Sequence, residues 1–201
     1  MHLSQHLASP SEATLSHLSE LNGLRLSPHF TLGEVTKTSV KTADGNVPSH
    51  VAIENLKNLC ENWLEELREE YNERYSAPES GEDGRGLKEQ QDERLFRPHL
   101  TSPNLGEEFP LVINSGYRSP VVNKAVGGSP TSNHLTGCAV DIRCYGIEQA
   151  IRYACILLDI ADGTHRDYDE LLIERTPRGK YWIHFAVRPK DNRRKTAIVL
   201  K

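Results

Sequence analysis

SGYRSPVVNKAVGGSPTSNHLTGCAVDI, residues 115–142, changes its local pattern three times. It opens at the end of an apolar run, FPLVINSGYR, that reads as a buried strand. Ser119 followed by Pro120 predicts a helix start, because a serine oxygen caps unpaired N–H groups and proline already holds a helical φ. The short helix PVVNKAV stops at Gly127-Gly128, and GCAVDIRCY then reads as a second strand. His134 and Asp141 stand seven apart, with Gly137 and Ala139 between them. If His134 ends a loop and Asp141 lies on the strand, these small residues let the backbone curl until an imidazole and a carboxylate meet.

Working outward, Val51, Leu56, Leu59, Cys60, Trp63, Leu64, Leu67 and Tyr71 recur at helical spacing, predicting an amphipathic helix over 50–72. A second helix is predicted over GIEQAIRYACILLDI, with an apolar stripe through Ile147, Ala150, Ile151, Ala154 and Leu158. YDELLIER and KYWIHFAVR read as two strands closed by the loop Pro177-Arg178-Gly179. Strands and helices in this order predict an α+β fold, a small antiparallel sheet flanked by helices. Residues 1–28 read as an N-terminal arm with a short helix near 11–22, residues 29–190 as the domain, and 191–201 as a basic C-terminal tail. Residues 76–108 lack apolar periodicity and are rich in Gly, Pro and charge, the pattern of an exposed, mobile insertion.

At 201 residues the chain suits one domain with a sizeable core. No run approaches the roughly 18 apolar residues of a membrane span, and the amino terminus lacks the pattern of a secretory signal, so synthesis in the cytoplasm is expected. Cys60, Cys138, Cys144 and Cys155 are too few and too scattered for a disulfide scaffold and form no CxxC pair, so they read as reduced, mostly buried thiols. Charge is uneven: residues 61–94 carry 12 acidic and 5 basic side chains, whereas 175–201 carry 9 basic and 1 acidic. Such a basic end either touches an anionic polymer or is a solvated surface, and the second reading is preferred.

A catalytic zinc takes about three nitrogen or oxygen ligands and keeps one position open. His134 and Asp141 supply two. His184, in the apolar strand Tyr181-Trp182-Ile183-His184-Phe185, is the natural third, although a histidine standing alone on such a strand is more often a core residue. His2, His6, His17, His29, His50, His99 and His165 show no ligand spacing and read as surface residues.

The signature SGYRS, then N and GG, then SxHxxGxAxDI, and finally WxH resembles the zinc D-alanyl-D-alanine carboxypeptidases and their phage-endolysin relatives. Their superfamily includes lysostaphin-type peptidases and the Hedgehog signalling domain. The resemblance spans roughly residues 29–188. It implies one Zn2+ held by His134, Asp141 and His184, with Arg118 on the substrate carbonyl as a stabiliser of the developing oxyanion, and with Ser132 holding substrate. It further implies a peptidoglycan stem or cross-bridge peptide as substrate and action on the cell wall after a phage-type release. Tyr117 and Trp182 are candidates to border the substrate groove, and Asn123 to support the loop carrying His134.

The resemblance leaves the general base open, because the acidic residue that many relatives carry three before the last histidine is Tyr181 here. With Pro177-Arg178-Gly179 as the hairpin loop, Thr176 faces Lys180 and Glu174 faces Trp182, on the same side as His184. Glu174 is therefore the candidate base, and Asp169 and Glu170 are weaker ones. No nucleic-acid partner or membrane insertion is expected, and a monomer is. The rival readings are a catalytically inactive Hedgehog-like module stabilised by zinc, which Tyr181 favours, and a phage structural or wall-binding protein using the basic end.

Overall fold

The computed structural model describes residues 20–42, 45–75 and 108–201. The insertion read over 76–108 and the arm's first 19 residues lie outside the described residues, apart from Glu108; residues 20–22 are helical. A one-turn helix α1 (Leu32–Val35) is closed by a reciprocal cap between Thr31 and Glu34. The long amphipathic element runs as α2 (His50–Leu59), a π-helical turn (Cys60–Leu64) and α3 (Glu65–Tyr75). Ser49 caps its start. Strand β1 (Ile113–Ser115), helix α4 (Pro120–Ala125), a 3-10 turn (Asn133–Thr136) and strand β2 (Ala139–Cys144) follow. Helix α5 (Ile147–Thr164) and strands β3 (Glu170–Arg175), β4 (Tyr181–Ala186) and β5 (Lys195–Leu200) complete the chain.

The fold is α+β. Among the described residues five strands lie in the order β1-β2-β4-β3-β5. The sheet was expected to be antiparallel, and β1, β2, β4 and β3 are so paired, but β5 joins β3 in parallel and makes the sheet mixed. Lys195–Leu200, read as part of a basic tail, is instead the strand KTAIVL, whose β-branched residues suit extended backbone and whose half-buried Ala197 and Val199 alternate with exposed Thr196, Ile198 and Leu200 on the sheet edge. Between β2 and β3 the chain passes through α5, and β4 then enters between those two strands, a split β-α-β arrangement.

Alternation sorts the side chains onto two faces. Val140, Ile142, Leu171, Ile173, Ile183 and Phe185 point into the helices with Trp63, Leu67, Tyr153 and Leu157, and the Trp63 and Phe185 rings meet at 5.0 Å. The other face takes Asp141, Arg143, Glu170, Leu172, Glu174, Trp182 and His184. Helix α5 buries Ala150, Tyr153, Ala154, Leu157, Ile160 and Ala161. Of the expected stripe, Ala150 and Ala154 are buried and Leu158 packs against the core, whereas Ile147 and Ile151 are 38% and 47% exposed, which corrects those two positions. The helix carries two apolar faces, and the one bearing the large Tyr153 ring turns inward. Cys60, Cys138 and Cys144 are buried, Cys155 is exposed, and all four are free.

Gly137 fixes how β2 leaves the 3-10 turn. Its φ is +71°, and a Cβ there would sit 2.3 Å from the Ala52 carbonyl oxygen of α2. Gly137→Ala combines left-handed strain with a backbone clash, so equilibrium denaturation should show a loss of more than about 2 kcal/mol. Gly179, whose φ of +79° meets open space, should lose less than about 2 kcal/mol on the same change.

Candidate metal centre

His134, Asp141 and His184 reach one point from three elements. The 3-10 turn begins at Ser132, whose hydroxyl accepts the His134 N–H at 3.4 Å, and this cap presents the His134 ring toward the sheet. Asp141 and His184 are direct partners across β2 and β4. His134 Nε2 lies 3.3 Å from Asp141 Oδ1 and 3.3 Å from His184 Nδ1, and His184 Nδ1 lies 3.0 Å from Asp141 Oδ1. Donors bonded at about 2.0–2.2 Å to a tetrahedral zinc stand about 3.3–3.5 Å apart, so this triangle fits one face of such a centre to within a few tenths of an ångström. Two imidazoles and one carboxylate are also a donor set that zinc accepts.

The remaining ring nitrogens have partners that hold the rings in place. His134 Nδ1 meets the Gly116 carbonyl oxygen at 2.5 Å, and His184 Nε2 stands 3.5 Å from Glu170 Oε2. Arg118 donates through Nη2 to Asp141 Oδ2 and through Nε to Ser115 Oγ at 2.8 Å. Among the described residues Nη1 has no partner, so Arg118 keeps one donor free beside the triad.

Electrostatics follow from this packing. Burial raises the Asp141 pKa, but the two imidazoles outweigh it and hold the carboxyl well below the usual range. Burial lowers the His184 pKa, yet hydrogen bonds to Asp141 and Glu170 win and push it up from 6.5 to about 9. Its hydrogen bond to His184 brings Glu170 down to about 2 despite burial.

The other site residues divide by face. Glu174 stands opposite Trp182, as the hairpin spacing predicts, and the Thr176 N–H donates to the Lys180 carbonyl oxygen. Glu174 is buried and paired with Lys201 at 3.0 Å, and its charge is felt at His184. Trp182 is half-buried on the same face. Tyr117 was expected to border the groove and instead belongs to the core, only 8% exposed. Its N–H bonds the Val35 carbonyl, and Gly116 packs so closely on that residue that a Cβ would lie 2.2 Å from its oxygen, which turns the tyrosine inward. Asn123 donates to the Ser129 carbonyl at 2.8 Å and braces the loop ahead of His134.

What sequence reasoning missed is the use of Asp169 and Glu170 as supports. Asp169 is fully buried between Arg188 and Arg193, at 2.8 and 2.6 Å, and accepts from Asn133, the neighbour of His134, at 2.8 Å. Glu170 binds Lys195 at 3.1 Å as well as His184. Parity with Leu172 and Glu174 was the available signal for Glu170; nothing in the sequence pairs Asp169 with arginines twenty residues on. His29, His50 and His165 are exposed, while His2, His6, His17 and His99 lie outside the described residues.

Glu170→Gln should weaken zinc binding about 10- to 100-fold in a chelator competition, because it loosens the His184 ring. In chelator-treated protein, the raised pKa of His184 gives stability that is complete below pH 6.5 and lost as pH rises through about 9. Melting temperature should therefore fall across that window and fall less in His184→Gln.

Residues 100–163 match the model of the family described as Peptidase M15. That segment holds Arg118, Ser132, His134 and Asp141 and stops before His184 and Glu174. No curated protein matches the chain. Peptidases of this family are zinc-dependent hydrolases of peptides, and among the described residues no helix is long and apolar enough to cross a membrane. Residues 100–163, about a third of the chain, are thus similar to Peptidase M15, and the sheet brings His184 from outside that stretch to His134 and Asp141 within it.

Proposed function

We propose that this protein is a zinc peptidase that hydrolyses a stem or cross-bridge peptide of bacterial peptidoglycan, acting at the cell wall. The observation that carries the reading is the donor triangle of 3.0–3.3 Å, formed by three buried side chains on the sheet face opposite the one packed against α5. His134, Asp141 and His184 would hold one ion. Zinc there supplies Lewis-acid chemistry, drawing electron density from a carbonyl oxygen and acidifying water.

The chain's own groups account for the proton and the charge. Glu174 shares a face with His184, two residue pairs further along β3 and β4, and as a carboxylate it takes a proton from water as the water oxygen bonds to the scissile carbonyl carbon. Arg118, fixed by Ser115 and Asp141, offers Nη1 to the carbonyl oxygen as negative charge develops there. When the C–N bond breaks, Glu174 returns the proton to the leaving amine. Ser132 stands at the cap beside His134 and contributes to holding the peptide; Trp182 borders the groove.

Position 181 does not suit the base in any case. It is three residues from His184 on a strand, so its side chain lies on the opposite face, and Tyr181 packs against the core. Tyr181 therefore lends little weight to an inactive module. Five of the nine basic residues of the carboxyl end, Arg188, Arg193, Arg194, Lys195 and Lys201, are engaged with Asp169, Asp162, Asp167, Glu170 and Glu174, which leaves less of that charge for an anionic polymer.

Purified zinc-loaded protein incubated with isolated peptidoglycan should release peptide fragments detectable by mass spectrometry, and a chelator should abolish that release. Fragment masses identify the bond. Glu174→Gln should retain one equivalent of zinc while kcat falls at least about 100-fold. An active Glu174→Gln protein removes Glu174 from the role of base, and intact peptidoglycan after treatment with the zinc-loaded wild type removes the peptidase reading.

A further inference from the structure

Beyond the triad, at the hairpin end of the sheet, lies a groove of about 440 Å3 that Arg143 and Trp182 line from the triad's face and Cys144 and Tyr181 from the other, with Asn114, Tyr145 and Lys180 among the rest. Arg143 follows Asp141 by two residues on β2, and Trp182 precedes His184 by two on β4, and the two are cross-strand partners. Two residues of strand advance about 7 Å, so the groove begins about one peptide dimer from the triad. An extended substrate lying along the strands advances at the same rate.

The charge of this groove is one-sided. Arg143 and Lys180 are its charged residues among the described ones lining it, and no acidic side chain lines it. Arg143 is exposed, its Nε donates to Asn114 Oδ1 at 3.0 Å, and its two terminal nitrogens have no partner among the described residues. The nearest acid on the adjoining strand, Glu174 opposite Trp182, is matched by Lys201. A guanidinium fixed at Nε and open at its outer edge is shaped for two parallel hydrogen bonds to a carboxylate. Tyr145 and Trp182 supply apolar walls against which the rest of a peptide residue can lie.

We propose that this groove is the specificity site of the peptidase proposed above, with Arg143 binding a substrate carboxylate within two residues of the scissile bond. The inference rests on that reading. The carboxylate has two possible sources, the chain terminus and an acidic side chain, and the chemistry recognised is the same in both.

The test uses the full zinc-loaded chain and three forms of one stem peptide: all carboxylates free, only the terminal one amidated, and only the side-chain ones amidated. Wild-type kcat/KM should fall at least about tenfold for one of the two amidated peptides, which identifies the source. Arg143→Gln should cleave all three at similar rates, with the loss carried by KM, unchanged zinc content and an unchanged melting temperature. Arg143→Lys, which keeps the charge without the fork, should fall between. Equal wild-type rates on all three peptides, or a preference that survives in Arg143→Gln, overturn the assignment while leaving the peptidase reading intact. Cleavage of none of the three by the wild type, with intact peptidoglycan also unaffected, overturns both.

Discussion

A single buried carboxylate organises this molecule. Asp141 Oδ1 stands within 3.3 Å of both His134 Nε2 and His184 Nδ1, and Oδ2 accepts from Arg118. An isolated carboxylate in that position would be prohibitively costly to desolvate, so each element supplying a partner is tied to it. The 3-10 turn brings His134, β4 brings His184, and the loop after β1 brings Arg118. A cation fits where three donors crowd together, and without one His184 meets the need by holding a proton.

Around that centre lies a layer of groups that keep the donors aimed. Gly116 holds one ring and Glu170 the other. Glu170 and Asp169 are in turn held by Lys195, Arg188 and Arg193, which links the start of β3 to the final strand and, through Asn133, back to the turn bearing His134. The acidic pair and the basic side chains of Arg188, Arg193 and Lys195 thus neutralise each other. Such support shells set the affinity and orientation of a metal site as much as the ligands do.

The division of the sheet into two faces explains why chemistry and binding fall together. Helices α2, α3 and α5 cover one face with Trp63, Leu67, Tyr153 and Leu157. The other face is left to polar side chains from three central strands, continuous from Glu170 through His184 and Asp141 to Trp182 and Arg143. A peptide extended along that face, as proposed, would span the donors and the cationic groove about 7 Å away.

The sequence by itself determined the local pieces: the helix over residues 50–72 from its apolar spacing, the Ser119-Pro120 helix start, the hairpin at 177–179 and, through strand parity, the shared face of Glu174 and His184. These follow from neighbours within a few residues, where periodicity and turn chemistry act directly. Tertiary structure decided the rest. Which stripe of α5 turns inward, that Tyr117 enters the core, that Lys195–Leu200 becomes a parallel strand and that Asp169 meets Arg188 and Arg193 all depend on surfaces supplied from far along the chain. The triad lies between these cases: His134 and Asp141 were legible as a pair at fixed spacing, but only the register of β2 against β4 sets His184 beside them, because pairing between strands 43 residues apart is fixed by packing of the whole sheet and not by any local signal.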